Sequence, residues 1–435
     1  MPRIIYSIFL ILISVFILSV IYLSKVGVET SKFNNIVIKE IIKKDPNIKL
    51  SLNKIKVKFD LRKIQIYLST SNPQIIYQGV RIPIKEIKLY TKIISILKSK
   101  NEINQAIVSL ENFSVKDIQK LAVRIKPSNF KNYLLNNLTN GKIEKILVDL
   151  KLEDNFKINE YKINGSLKKV NIKAANNFLI EDVSLNFISD KNLTLINSLN
   201  AKYQNISISN GSINFKKDKQ IDVEGKFSSK FNLNESATNK IRSNLNLDLL
   251  KDKEVNVEGS LLHNFNLTIN ENLKLVDYNY KSDGNIKKSQ IILKNDFKSE
   301  FFEKSIKKIS ILKTNVAINL NRKKNNLLTL NGLYNLGGVE NKKFKISHDF
   351  NKKNPKYLID FDLSENIFIK LLNFKSNLKN SSNIKSEIKI VNRNIIFNYI
   401  KFTEGKNLIT INNLKLNKKN QLSSISDIEV KTFSN

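Results

Sequence analysis

Ile206-Ser-Ile-Ser-Asn-Gly-Ser-Ile-Asn-Phe215 carries the pattern on which most of the chain is built. Asn-Gly between two alternating runs is the strongest two-residue hairpin signal, because a type I′ turn needs positive φ at both central positions. Folding about Asn210-Gly211 sets Ser209 opposite Ser212, Ile208 opposite Ile213 and Ile206 opposite Phe215. The four large apolar residues then share one face, and Ser207 and Asn214 occupy the other. One greasy and one wet face is the mark of an antiparallel sheet covered on one side only.

The same period of two extends in both directions. Ile146, Val148, Leu150 and Leu152 alternate with Leu147, Asp149 and Lys151, and Val255, Val257, Gly259 and Leu261 do likewise. Nearer the N-terminus, Ile48, Leu50 and Leu52, then Ile55, Val57 and Phe59, then Ile64, Ile66 and Leu68, and Val80, Ile82 and Ile84 keep the rhythm, as does Ile103 to Val115. Eight of the twelve glycines follow Asn, Asp or Glu: Gly141, Gly165, Gly211, Gly225, Gly259, Gly284, Gly332 and Gly405. Their spacing is irregular, so they predict tight turns or bulges in a meander rather than a fixed repeat.

Helical spacing interrupts the strands in a few places. Thr30 to Lys44 places Phe33, Ile36, Val37 and Ile41 three and four residues apart, which predicts an amphipathic helix stopped by Asp45-Pro46-Asn47. Lys92–Lys100, Asp117–Arg124, Pro127–Leu138, Glu235–Leu250 and Asn366–Phe374 are the other helical candidates. Pro127 suits a helix start, and Asn140-Gly141 a helix end. Asp427 to Asn435 reads as strand without a terminating element, which predicts that the chain stops within, or at the edge of, a sheet.

Ile4 to Ser24 is of a different kind. It holds no charged residue and, as a helix, spans roughly 30 Å, the thickness of a bilayer core. Ile4, Phe9, Leu12, Phe16 and Ile21 are its anchor candidates. The run is long for a secretory signal and lacks a small-x-small cleavage site, so it reads as an uncleaved signal anchor. Arg3 on one side and Lys25, Lys32 and Lys39 on the other leave the charge rule undecided; placing the bulk outside the cytoplasm rests on the segment being N-terminal. The organisation predicted is a transmembrane anchor over 1–25, an α+β portion with amphipathic helices over 26–140, and a β portion over 141–435.

Composition bounds the chemistry. The chain has 435 residues and no cysteine, which excludes disulfides and thiolate chemistry. Its net charge is +34, but Lys, Asn and Ile are abundant throughout, Trp is absent, and the lysines are spread along the chain without a stripe or tail, which reads as compositional bias rather than nucleic-acid binding; a dispersed basic surface would still favour contact with anionic headgroups. His263 and His348 stand apart, without cysteine or a carboxylate cluster, and read as ordinary surface or turn residues. No nucleophile elbow, phosphate loop or dinucleotide fingerprint is present. Adjacent acids such as Glu153-Asp154 point to opposite faces of a strand and make no dyad. The expectation is a non-enzyme with no metal and no cofactor.

What remains is the greasy face. Either the sheet folds over and buries it as a sandwich, or it curls into a trough whose apolar floor holds acyl chains. The residues alone favour neither.

The order of anchor, amphipathic helix, alternating strands, helical interruption and many Gly-punctuated strands resembles the AsmA-like superfamily and, within it, the YhdP-type proteins. The most specific part is Pro127-Ser-Asn-Phe-Lys-Asn-Tyr133-Leu134 followed by Asn137-Leu-Thr-Asn-Gly141-Lys-Ile143. It is similar to the family's proline, short helix with an aromatic, and glycine opening the next strand; Tyr133 stands where Trp is common. Phe178 to Phe227 resembles the family's tract of short strands. The resemblance implies a mainly β fold: an N-terminal transmembrane helix, then an elongated, twisted antiparallel β-groove with a few short helices. It implies a lipid-transfer protein of a bacterial inner membrane, with its bulk in the periplasm, carrying phospholipids toward the outer membrane. Ile146, Val148, Leu150, Leu152, Ile206, Ile208, Ile213, Phe215, Val255 and Val257 would line the groove. About 20 strands at ~4.8 Å give roughly 100 Å, a length that calls for a longer protein or an outer-membrane or periplasmic partner to complete the bridge. The alternative function is a non-enzymatic scaffold for outer-membrane protein assembly, using open sheet edges to pair with client strands.

Overall fold

A computed structural model describes residues 2–31, 34–91, 103–123, 135–153, 157–173, 178–245, 253–272, 274–297, 305–322, 326–338, 340–350, 355–363, 366–369, 374–376, 381–392, 394–418 and 421–433. Strand makes up 70% and helix 14%, so the backbone's polar groups are satisfied mainly through ladders between neighbouring strands. The chain divides into two compact units, Met1–Ala201 and Lys202–Asn435.

The first unit opens with helix α1 (Pro2–Lys25), followed by β1 (Val28–Thr30), α2 (Asn34–Lys44), β2 (Ile48–Ser51) and β3 (Ile55–Asp60). Next come β4 (Gln65–Ser71), β5 (Gln74–Tyr77), β6 (Val80–Ile82), β7 (Ile84–Thr91), β8 (Ile103–Ser114), α3 (Val115–Val123), β9 (Leu138–Leu152), β10 (Ile158–Lys173), β11 (Leu179–Ser189) and β12 (Leu193–Tyr203). The main ladder runs β1-β3-β4-β7-β8-β9-β10-β11-β12, and β2-β5-β6 form a small separate sheet. Gly27 ends α1: at φ 77 it lets the amides of Val26 and Gly27 both return to the Tyr22 carbonyl, at 2.8 and 3.0 Å, before β1 begins. Ser114 caps α3, its Oγ accepting the Asp117 amide at 3.1 Å.

The second unit contains β13 (Ile206–Lys217), β14 (Ile221–Leu233), α4 (Glu235–Leu245), β15 (Lys253–Ile269), β16 (Leu275–Phe297), β17 (Ile306–Asn321) and β18 (Leu327–Asn335). It continues with β19 (Lys342–Asp349), β20 (Lys356–Asp362), β21 (Phe368–Ile369), β22 (Phe374–Lys375), β23 (Ser382–Val391), β24 (Asn394–Glu404), β25 (Asn407–Leu416), β26 (Leu422–Ser424) and β27 (Asp427–Lys431). From β13 to β20 each strand pairs with the next; the ladder passes to β23, β24 and β25, and both β26 and β27 pair with β25. Asn234 caps α4 through its Oδ1, which accepts the Ala237 amide at 3.0 Å.

The predicted hairpin at Asn210-Gly211 is not formed. β13 runs straight through it and pairs with β14 along its whole length. Ser209 faces Ser228 and Ser212 faces Lys226, so Asn210 and Gly211 together oppose Phe227 alone: a β-bulge, with Asn210 at φ 53. An inserted residue shifts the alternation by one, as a two-residue turn does. Ile206, Ile208, Ile213 and Phe215 therefore still share a face. Bulges with a residue at positive φ at Lys169 in β10, Asp182 in β11 and Lys313 in β17 make the same correction.

Other expectations also change. The glycines divide between the expected bulges or turns and regular strand. Gly211 is part of the bulge in β13, Gly259 adjoins the register shift between β15 and β16, Gly332 opposes the bulge at Lys313 and Gly405 sits at the turn between β24 and β25, whereas Gly165, Gly225 and Gly284 lie in regularly paired strand. Asn140-Gly141 ends no helix, because β9 already starts at Leu138 and passes through Gly141. The helix expected over Asn366–Phe374 is replaced, where described, by the short pair β21–β22. Thr30 belongs to β1, and α2 starts at Asn34. Ile64 lies outside β4, in the turn before it. The helix expected at Lys92–Lys100 falls outside the described residues, as does Pro127–Leu138 up to residue 134.

Candidate functional site

Registers fix which side chains share a face. In the second unit the column Phe231, Ser229, Phe227, Gly225, Val223 of β14 stands opposite Gly259, Leu261, His263, Phe265, Leu267 of β15. Across β16 and β17 the face continues through Tyr280, Gly284 and Ile286 to Leu320, Val316 and Thr314. Leu330, Ile346 and Ile359 carry it over β18, β19 and β20, and Ile384, Phe402 and Ile409 over β23, β24 and β25. The reverse face holds Glu224, Lys226, Lys230, Asn264, Asn266, Lys345 and Lys385 at the intervening positions. Ion pairs cross it, such as Lys385–Asp360 at 3.2 Å and Lys287–Glu258 at 2.8 Å. These exposed pairs contribute little, ~0–1 kcal/mol each.

The first unit repeats the division. Val57, Leu68, Leu89, Ala106, Leu150 and Tyr161 form one row, and Ile146 lies between Leu110 and Gly165. Val148 stands between Val108 and Ile163, and Leu152 faces Ile158. Ile146, Val148, Leu150 and Leu152 are thus brought onto one face, as are Ile206, Ile208, Ile213 and Phe215 in the second unit with Val255 and Val257 of β15. Of these, Val255 is buried and the rest half-buried. A sealed sandwich core would bury most of them; apart from Val255, each leaves part of its surface accessible.

Short elements lie on the apolar face at a few points. In α2, Ile41 faces Leu52, Ile55, Leu68, Ile87 and Leu89 across a cavity of about 40 Å³. The Thr238 hydroxyl of α4 donates to the Val255 carbonyl at 3.0 Å. Leu363, Ile367 and Phe374 pack onto Phe402, Ile409 and Ile384.

Both histidines belong to the apolar face, which corrects the surface reading. His263 is buried, with Nε2 2.7 Å from Ser229 Oγ, Nδ1 2.8 Å from the Tyr280 hydroxyl, and its ring stacked 4.3 Å from Phe227. Burial pushes its pKa below the ordinary histidine range. His348 stacks 4.0 Å from Tyr357, and its Nε2 has no hydrogen-bond partner among the described residues. Burial lowers its pKa too, against the opposing charge of Asp349. The signal for these partners lay across the ladder, not in local sequence. Among the described residues no group of three His, Asp or Glu side chains is placed to hold a metal.

Along residues 6–19 α1 presents its side chains outward all round, Phe9, Leu12 and Phe16 among them; Ile21 is exposed too, and Ile4 lies in the first turns of the helix. It is long and apolar enough to cross a membrane from Tyr6 to Lys25. Tyr6 and Tyr22, about 24 Å apart along the axis, suit the two interfaces. Compared with protein-family models, curated proteins and solved structures, the chain matches none.

Proposed function

We propose that the apolar sheet faces bind the acyl chains of membrane lipids, and that the chain is a membrane-anchored, non-enzymatic lipid-transfer protein. The observation that carries this reading is the sorting of side chains by register: one face mostly apolar, the other mostly polar apart from a few residues such as Ile188, Leu262, Leu327 and Leu358, with the sorting carried through the bulges at Lys169, Asp182, Asn210 and Lys313. Accessible apolar surface of this extent is rare unless something covers it. Acyl chains suit it, because each buried methylene is worth ~0.8 kcal/mol and neighbouring rows offer nearly equivalent positions. Lipid is then held firmly yet slides between sites of similar energy, with headgroups at the wet rim beside the lysines.

The finer reading follows the AsmA-like resemblance: α1 in a bacterial inner membrane, the strands in the periplasm, and phospholipid moving toward the outer membrane. The test is a photoreactive amino acid at Val148 or Ile208, with Lys151 and Ser207 as controls on the reverse face. Phospholipid crosslinked from the first pair only is expected. Equal labelling from both faces, or folded protein without lipid in native mass spectrometry, overturns the reading.

A further inference from the structure

The turn between β3 and β4 displays apolar side chains that the sheet does not require. Leu61 is 55% and Ile64 69% exposed, and they bracket Arg62 and Lys63. Ile64 stands at φ 53. There a β-branched side chain crowds the backbone, in a conformation that Gly or Asn adopts at little cost. The turn is nonetheless firmly held. Asp60 Oδ1 accepts the amides of Arg62 at 3.0 Å and Lys63 at 3.2 Å. Lys63 Nζ donates to Gln105 Oε1 at 2.7 Å and lies 4.0 Å from the centre of the Tyr90 ring. A rigid turn therefore offers two large apolar groups to the outside, one of them in a strained conformation.

Its position suggests what it meets. β1 and β3 are antiparallel, with Val28 opposite Val57, so β3 continues past the start of β1 toward the end of α1. Lys58 Nζ lies 3.5 Å from the Lys25 carbonyl, and α1 packs against β3. The two strand residues Phe59 and Asp60 carry the turn about 7 Å beyond Lys58 on that side. Val26 and Val28, both exposed, lie at the same junction.

We propose that the Leu61–Ile64 turn docks on the bilayer that α1 enters, with Leu61 and Ile64 seated at the boundary of headgroups and acyl chains and Arg62 at lipid phosphate. This rests on reading α1 as a membrane span. An apolar pair flanking basic residues is the composition that interfacial segments use. Two contacts, one helix and one turn, then fix the angle at which the strands meet the membrane; a single flexible tether would not.

Because the chain has no cysteine, single-cysteine variants give an unambiguous readout. Leu61→Cys, Ile64→Cys, Phe16→Cys in α1 and Lys145→Cys on the reverse face of β9 are labelled with an environment-sensitive fluorophore. The full chain is placed in vesicles of phosphatidylethanolamine and phosphatidylglycerol. Blue-shifted emission at 61 and 64, quenched by a headgroup-level quencher, with water-like emission at 145, is expected. Water-like emission at 61 and 64 with a buried signal at 16 overturns the docking and leaves the anchor standing. Water-like emission at 16 as well overturns both.

Discussion

Phe231 occupies the space that a side chain at Gly259 would need: a Cβ there would stand 2.7 Å from the ring, and 2.5 Å from the Asn285 carbonyl. Phe265 over Gly225 and Phe187 over Gly165 repeat the arrangement. Each pair faces across a ladder on the apolar side. The glycine gives the ring a place to lie flat, and the ring covers backbone that glycine leaves bare.

Gly259→Ala should therefore destabilise the protein although alanine is the better strand former. Overpacking of this kind costs about 1–3 kcal/mol. The carbonyl cannot swing away as a ring can, so pairing the change with Phe231→Leu should recover only part of the loss. Chemical denaturation of both variants in detergent measures it.

Deleting Asn210 should be far more damaging than replacing it. Without the bulge, the alternation slips by one and Ile213 and Phe215 turn to the polar face. Losing the partial burial of two such side chains costs at least about 2 kcal/mol. Asn210→Gly keeps the positive φ and should stay within a few tenths of a kcal/mol of the parent. Thermal melts of the two variants side by side test the contrast.

Ile64→Asn should raise stability. It relieves a left-handed conformation that costs a β-branched residue roughly 1–2 kcal/mol, and removes exposed apolar surface at the same position. A rise in melting temperature in detergent is expected; a fall would show that Ile64 packs on the fold.

Acidification should weaken the fold through its two histidines. Both native imidazoles hold protons less well than in the unfolded chain, since burial lowers their pKa values. The stability they contribute is complete above the unfolded value of about 6.5 and declines as pH falls below it. Melting temperature should be level from pH 8 to 7 and drop toward pH 5. His263→Phe should make that drop shallower without removing it, because His348 remains.

Local pattern carried much of this architecture. The period of two marked the strands and the apolar residues of the face, and an uncharged run marked α1. Ile206–Phe215 shows where such reading ends. A two-residue turn and a one-residue bulge shift the alternation equally, so the face was legible but the path of the chain was not. Ile64 continued the rhythm of Ile66 and Leu68, yet Asp60 fixes a turn there through amides two and three residues on. The mid-strand glycines and His263 depend on partners one strand away, tens of residues distant in sequence, and no local spacing records them.

The neighbour-to-neighbour pairing from β13 to β20 bears on how the protein is made. Each strand's partner is the one synthesised just before it, so loops to be closed are short and their entropic cost small. Folding rates rise as contacts become more local. A chain emerging behind α1 can therefore add one strand at a time to a template already in place. Its assembly keeps pace with its delivery instead of waiting for the last residue.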